Sequence, residues 1–441
     1  MRDDRLSGQL YRALFIILIV ASPIAAQTTV DFAGTGDGTT DNQAAFMSAA
    51  ATLNAAGGGT LRIHAGTYAH SGAVTFGTAT NVVCDKGAVL KATTDSSAAM
   101  ILTGSNSGIQ GCRFISSAAT LASGNNAAAV FFSNCQSCYG SANSIQGSAG
   151  DGYAVAGAGS QDIEISGGFV NGVKGNGVSI TAGSNTIDVT GIQITGVGVD
   201  CVAAISVASD GTQIHDLTVS RNHCLNAVAN GIQIAGVLRA NVSGNAVTNP
   251  GQHGIIVRNF TPTDAFVPDS IDVRDNTIDN QSNTSYYPIG LQATQNSNAI
   301  GNTIRNSSGI NQWGQSSHLT ISNNRLFNIT DVAIKLYSGL DHFAVLGNSV
   351  FTATSSCIAA VSVSLGVIGG NACWDTRTSG VYNWGIIDIE NSHGVCPPNS
   401  AGFNTNVYHY GFDANLNPEP SQVTLRNSDS TPAGDGQCSV F

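Results

Sequence analysis

The chain of 441 residues is 42% hydrophobic and only 10% charged, carries 52 Gly, and has a formal net charge of −11. That much apolar material excludes an intrinsically disordered protein, and low charge with many glycines fits a turn-dense β protein whose surface is Ser, Thr and Asn. The acidic balance excludes nucleic acid and anionic membrane surfaces as principal partners.

Residues 1–26 carry Arg2, Arg5 and Arg12, an apolar run from Ala13 to Ala21, and Ser-Pro-Ile-Ala-Ala before Gln27. This is the pattern of a secretory signal. The run is too short for a stable membrane-spanning helix, and no later segment approaches the ~20 apolar residues such a helix needs. The expectation is a secreted or periplasmic protein with no membrane contact once the signal is removed. Losing three Arg and two Asp would move the charge from −11 to −12. An acidic polymer would then be repelled unless Ca²⁺ or a local basic cluster offset the field. Beyond that Ca²⁺, no motif asks for a cofactor. Ten Cys, an even number, favour disulfides over metal sites in an exported chain. Cys135-x-x-Cys138 has no second CxxC and no βαβ pattern around it, so it reads as structural; the pairing of Cys84, Cys112, Cys135 and Cys138 stays open.

From Val30 to Tyr68 the chain reads VDFAGTGDGTTDNQAAFMSAAATLNAAGGGTLRIHAGTY. Asp41 can cap a helix from about Asn42 to Ala56, which Gly57 to Gly59 would end. Ala44, Ala45, Phe46, Ala49 and Leu53 give it one apolar side, suited to closing the open end of a stack of strands. The D-F-x-G-x-G-D-G-x-T-D motif, the Ala-rich helix and the GGGT…GTY ending resemble the amino-terminal segment of the pectate-lyase-like superfamily that includes rhamnogalacturonases and epimerases. The segment departs from that pattern in FAGTG, where FGA is usual, and at His64, where Pro is common. The resemblance implies a right-handed parallel β-helix capped by this helix, and says little about chemistry.

Residues 80–160 continue in less regular coils, with GIQGCRFIS and AAAVFFSN as the clearest pieces. From Ile163 the register is firm. The stretch Ile214 to Gly236 shows the unit: a short β run, an Asn, a brief apolar step, a loop and an NGIxI strand. The Asn recurs at 222, 245, 276, 302, 324, 348 and 371, with spacings of 23, 31, 26, 22, 24 and 23. Repeats of that length with β alternation mean stacked coils, each buried only against its neighbours. Asn tolerates the left-handed backbone of a tight corner, and amides stacked at the strand spacing can bond as a ladder. The expected fold is all-β: a single-domain parallel β-helix of three-strand coils over residues 27–392, with the cap at 30–68 and an irregular capping tail at 393–441. Cys201 and Cys224 lie one repeat apart, as Cys357 and Cys373 nearly do, so each pair can staple neighbouring coils; Cys396 and Cys438 would tie down the tail.

In the G-I-x-I strands the alternate residues line one outer face, which is the candidate groove. Its polar residues include Asp200, Asn230, Gln233, His253, Arg258, Gln292, Lys335, Tyr337 and Asp388. The longest flanking loops, Asn259 to Asp269 and Asn280 to Pro288, should wall it beside Arg258 and Gln292. Trp313, Tyr286, Tyr287, Trp374 and Trp384 could stack on sugar rings. The stretch VDCVAAISVASDGTQIHDLTVSRNHC also resembles the polygalacturonase segment of paired Asp with a following Cys, matched by Asp200, Cys201 and Cys224. The rest of that hydrolytic set departs: its upstream Asp falls on Asn176, the first Asp of the pair on Val199, and its His on Asn230. Inverting hydrolysis needs two carboxyls around a water, and one remains. Lyase or epimerase chemistry needs a base, a proton donor and a cation for the uronate, roles that His253, Arg258, Lys335 and Tyr337 can divide, while Asp200 is the candidate catalytic acid for hydrolysis. The expected partner is thus a uronide-containing polysaccharide, bound for lyase or epimerase chemistry first, for hydrolysis second, or by a binding or structural protein without catalysis.

Overall fold

The computed structural model describes residues 27–94, 100–116, 127–181, 183–261, 263–281, 283, 285–337 and 339–374. Of residues 387–390, 393–396, 400–402, 408–410 and 422–425 it describes the backbone strands. The leader at 1–26, Trp384 and Cys438 lie outside the described residues, as do the side chains of Trp374, Asp388 and Cys396.

Each coil contributes three strands. In the coil at Ile214 to Gly236 these are His215–Ser220, His223–Leu225 and Ile232–Ala235, the first, second and third rows below. The pairings between coils among the described residues are parallel, as in Leu217↔Ala240, Cys224↔Val247 and Ile232↔Ile255, with register shifts at Ser133/Cys135 and Asp37/Asp41. The second row forms a 15-stranded sheet among the described residues. The other two rows form a 29-stranded sheet, joined through the long strand Val130–Ser141, which pairs with members of both. Alternation turns Ile232 and Ile234, Ile255 and Val257, Ile289 and Leu291 inward, all at 0–1% exposure, and stacks them into one continuous core.

The helix spans Gln43–Ala55. Asp41 stands one residue outside the N-cap Asn42, yet its carboxylate accepts the Gln43 N–H at 3.0 Å. Gly57, at φ 76°, and Gly58 close the helix by donating to the Asn54 and Leu53 carbonyls, the Schellman arrangement. Phe46, Ala49, Ala50 and Leu53 are the buried side, with Phe46 stacked on Phe32 at 4.0 Å; Ala44, expected inside, is exposed because the apolar stripe turns toward Ala50.

The Asn ladder is present and fully buried. Nδ2 of Asn222 donates to Oδ1 of Asn245 at 3.1 Å, and the same bond repeats at 2.9–3.0 Å through Asn276, Asn302, Asn324 and Asn348 to Asn371. One detail differs from expectation. The left-handed residue at each corner is the one before the ladder Asn (Arg221 at φ 55°, Gly244 at 63°, Asp275 at 55°, Asn323 at 56°), so the ladder Asn is selected for its amide and not for its backbone. Disulfides join Cys201 to Cys224 and Cys357 to Cys373, each linking the residue before a third-row strand to the second row one coil on. Cys84–Cys112 and Cys135–Cys138 are two more among the described residues. Beyond residue 392, where the irregular tail was expected, His393–Cys396, Tyr408–Tyr410 and Gln422–Leu425 continue the parallel rows.

Candidate functional site

The third row places two outward columns side by side. Register pairs Gln233 with Ile256, Gly290, Asn311, Lys335, Ala359 and Asp388 in turn; beside them stand Ala235, Arg258, Gln292 and Trp313, with Tyr337 following Leu336. The turn preceding each strand supplies a further column: Asp151, Asn176, Asp200, Asn230 and His253.

That turn column is a second ladder. The Asp151 carboxylate accepts from Asn176 N and Nδ2, and Asn176 Oδ1 accepts from Asp200 N. Asp200 Oδ1 then accepts from Asn230 N at 2.6 Å and Nδ2 at 3.0 Å, and Asn230 Oδ1 accepts from His253 N at 3.1 Å. Asp200 and Asn230 are only 2% and 5% exposed, so they lie under the face and not on it, as does Gln233 at 4%. The Gln233 amide sits between Asp200 Oδ2 at 3.1 Å and Arg258 Nη2 at 3.2 Å. We orient its NH₂ to the carboxylate and its oxygen to the guanidinium, because the reverse sets like against like at both ends; the Asn230 Nδ2 contact of the reverse orientation is already met by Asp200 Oδ1. Arg258 is thereby tied to a buried carboxylate through one amide, while its buried Nε has no partner. Burial lifts the Asp200 carboxyl to about 6, against the Asn230 hydrogen bonds and the Arg258 charge.

His253 ends this ladder and is half-buried. Its Nδ1 lies 3.1 Å from both the N–H and the carbonyl of Tyr287, so Nδ1 is engaged and Nε2 is the free ring nitrogen. Its ring meets Tyr286 edge-on at 5.1 Å and lies nearly parallel to Trp313 at 5.8 Å, although Trp313 comes from two coils farther along. Gly290 makes this reach feasible: a Cβ there would stand 2.9 Å from Trp313 Cη2 and 2.7 Å from Ile256 Cδ1. Burial, with the Arg258 charge acting the same way against the Tyr287 carbonyl, lowers the His253 pKa to about 4. Lys335 lies 5.0 Å over the Tyr337 ring and 3.8 Å from Asp331; burial opposes its charge, but Tyr337 and Asp331 hold its pKa above the ordinary value.

Two expectations about geometry are corrected. Arg258 and Lys335 are separated by three coil steps of ~4.8 Å, about 14 Å, more than one sugar ring spans, so they cannot serve the same sugar unit. Of the two long loops, the second does wall the face, through Tyr286 and Tyr287. The first packs away from it: Asp264 accepts the Ala208 N–H, and the Val267 carbonyl accepts from Gln213 Nε2. Asn311 lies between Gly290 and Lys335 with a buried Oδ1 lacking any partner. Asp388 continues the column by register, and its side chain lies outside the described residues.

Sequence reasoning passed over Gln312. It occupies the inward position that is Ile234, Val257, Leu291 and Leu336 in neighbouring coils, fully buried. Its amide donates to the Gly314 carbonyl at 2.8 Å and accepts the Tyr337 N–H at 3.1 Å, holding the segments that carry Trp313 and Tyr337. An amide where the repeat demands an aliphatic residue was the available signal.

Residues 203–365 match the family model described as a right handed beta helix region. The chain therefore has the right-handed parallel β-helix that its pectate-lyase-like amino-terminal motif implied. Among solved structures it is similar to the surface adhesin PfbA of Streptococcus pneumoniae, at 13% identity over 89% of this chain and 94% of that one, TM-score 0.50. It is also similar to the A-module of the mannuronan C-5 epimerase AlgE4 of Azotobacter vinelandii, at 14% identity over 92% and 100%, TM-score 0.45. A third is the family 28 exopolygalacturonase of Yersinia enterocolitica, at 11% identity over 93% and 80%, TM-score 0.48. At such identities the likeness is one of fold. No curated protein matches the chain in sequence.

Proposed function

We propose that this is an exported protein that binds an acidic, uronide-containing polysaccharide along the third-row face and cleaves it by elimination. The observation that carries this reading is the half-buried cluster of His253, Tyr286, Tyr287 and Trp313 in ring contact, flanked by Arg258 and Lys335 in a chain of net charge −11. Aromatic faces accept the C–H side of a sugar, and two cations spaced by about three coils suit carboxylates on separate units of one chain and not on a single unit. Four disulfides support export.

Within one sugar, Arg258 neutralises the uronate and so acidifies the proton on the adjoining carbon. In the tautomer whose Nδ1–H donates to the Tyr287 carbonyl, His253 Nε2 removes that proton, the electron pair forms the double bond to the neighbouring carbon, and the glycosidic C–O bond there breaks. The imidazolium so formed, with a pKa near 4, is a strong donor and returns the proton to the departing oxygen. Asp200 holds Arg258 through Gln233 and, among the described residues, has no second carboxylate beside it for hydrolysis. Epimerisation would need a donor on the opposite side of the ring, a place that Tyr286 or Tyr337 could take.

A second reading, binding without chemistry, is favoured by the weak basicity of His253. Incubation with a panel of uronide polymers decides among these. Elimination yields unsaturated ends that absorb in the ultraviolet, epimerisation changes the sugar configuration by NMR without new ends, and hydrolysis yields reducing ends without that absorbance, which Asp200→Asn should abolish. Arg258→Ala should abolish elimination. Retained activity in that variant would remove this coil as the site, and saturable binding without any product would establish the second reading.

A further inference from the structure

We propose a second sugar site around the corner from this face, in the groove where the third row turns into the first. The groove has a volume of about 400 Å³ and is lined by Gln295, Gln315, Ser316, Ser317, Asp341 and Ser364, over a floor that includes Gly339 and Leu340. It begins two residues beyond Trp313 and Tyr337, at most about 7 Å of backbone, so it is contiguous with the aromatic face while facing another side of the coil. The existence of the site does not depend on the chemistry proposed for that face.

The lining decides the ligand class. It presents amides and hydroxyls, which both donate and accept, and one carboxylate, which only accepts. Asp341 Oδ1 is buried and has no partner, while Oδ2 lies 3.5 Å from His342 Nδ1. The side chain as a whole is about half exposed, so Oδ2 and not the buried Oδ1 is the acceptor the groove offers, and a carboxylate oxygen takes a hydroxyl in a short, strong hydrogen bond. Among the described residues no Lys or Arg lines the groove, so an anionic sugar meets the Asp341 charge with no Lys or Arg to offset it. An apolar ligand leaves the amides unmatched. An uncharged sugar satisfies the wall, its hydroxyls toward Asp341, Gln295 and the serines and its C–H side toward Leu340. Because the groove adjoins the cationic, aromatic face, it would hold a neutral branch or neighbouring unit of the polymer lying there.

The test uses the whole protein and three neutral probes, cellotriose, mannotriose and galactotriose, with a triuronide for comparison, each followed by isothermal titration. At least one neutral trisaccharide should bind saturably. Ser364→Trp, which fills the groove, and Asp341→Ala, which removes the acceptor, should each weaken it tenfold or more. Arg258→Ala should leave neutral binding unchanged and reduce triuronide binding. Far-UV circular dichroism identifies any variant that fails to fold, and either groove variant suffices. Absence of saturable neutral binding, neutral binding unaltered in a folded groove variant, or triuronide binding lost in the groove variants would overturn the proposal. Loss of triuronide binding in Arg258→Ala alone speaks to the face and not to the groove.

Discussion

Replacing Asn324 with Ala removes one rung from the middle of the buried ladder. Asn324 Oδ1 accepts from Asn302 N at 2.9 Å and Nδ2 at 3.0 Å, while its Nδ2 donates to the Ala299 carbonyl at 2.8 Å and to Asn348 Oδ1 at 2.9 Å. After truncation Asn302 Nδ2 still reaches the Val273 carbonyl, and Asn348 Oδ1 still accepts the backbone N–H of residue 324. One backbone group is then stranded, the Asn302 N–H, since the Ala299 C=O keeps its place in the parallel pairing with the next coil. At about 1–3 kcal/mol for an unsatisfied buried group, the loss is about 1–3 kcal/mol. Asn328→Gly is the internal control, because Asn328 holds a left-handed φ of 53° that Ala would strain and Gly does not. Asn328 belongs to an exposed outer stack, donating to Asn306 Oδ1 at 3.0 Å, where water replaces the lost bond and the change should stay within about 0.5 kcal/mol. Equilibrium urea denaturation followed by far-UV circular dichroism compares the two. Equal shifts in the two midpoints would refute the argument that the ladder's contribution comes from burial.

Three further outcomes follow from the geometry. Peptide mapping without reduction should recover Cys201 and Cys224 in one linked fragment, and replacing both with Ser should lower stability by about 2–4 kcal/mol; a free thiol at either position would contradict the structure. Gly290→Ala puts a methyl against the Trp313 indole and should weaken oligosaccharide quenching of tryptophan fluorescence at least several-fold with little change in melting temperature, and unchanged quenching would mean that Trp313 does not touch the ligand. Asp200 and His253 should tilt the pH dependence of stability in opposite senses. The Asp200 carboxyl titrates near 6 folded against 3.8 unfolded, so the folded state binds the extra proton and stability falls from about pH 4 to 6, by on the order of 2–3 kcal/mol. His253 titrates near 4 folded against 6.5 unfolded, so there the unfolded state binds the extra proton and stability rises over about the same range. Relative to wild type, Asp200→Asn should therefore make stability climb with pH across this window and His253→Gln should make it fall; parallel profiles in all three would show that neither group is buried as described.

The apolar alternation and the Asn spacing made the three strands per coil, the inward positions and the Cys201–Cys224 and Cys357–Cys373 staples legible, because each depends on residues within one repeat of each other. The corner was misjudged in one respect. The positive φ sits one residue earlier, on a Gly, Asn or Asp at six of the seven corners and at the seventh on Arg221, a residue with no propensity for it, which the ladder amide one step later secures. Gln312 was missed for the opposite reason, since only its partners Gly314 and Tyr337 explain an amide in the core.

By itself the sequence determined the coil, its period, the capping helix and which residues face outward, since a solenoid is stabilised by contacts between neighbouring repeats and these are written in local pattern. Only the tertiary structure decided which outward residues form a site. It placed Asp200, Asn230 and Gln233 beneath the face, set Lys335 three coils from Arg258, and let the Trp313 ring reach His253 across the space that Gly290 leaves. Those relations depend on loop length, on the lean of long side chains and on the volume of a residue in an intervening coil. No local pattern carries them, because they involve residues brought together only by the stacking of the coils.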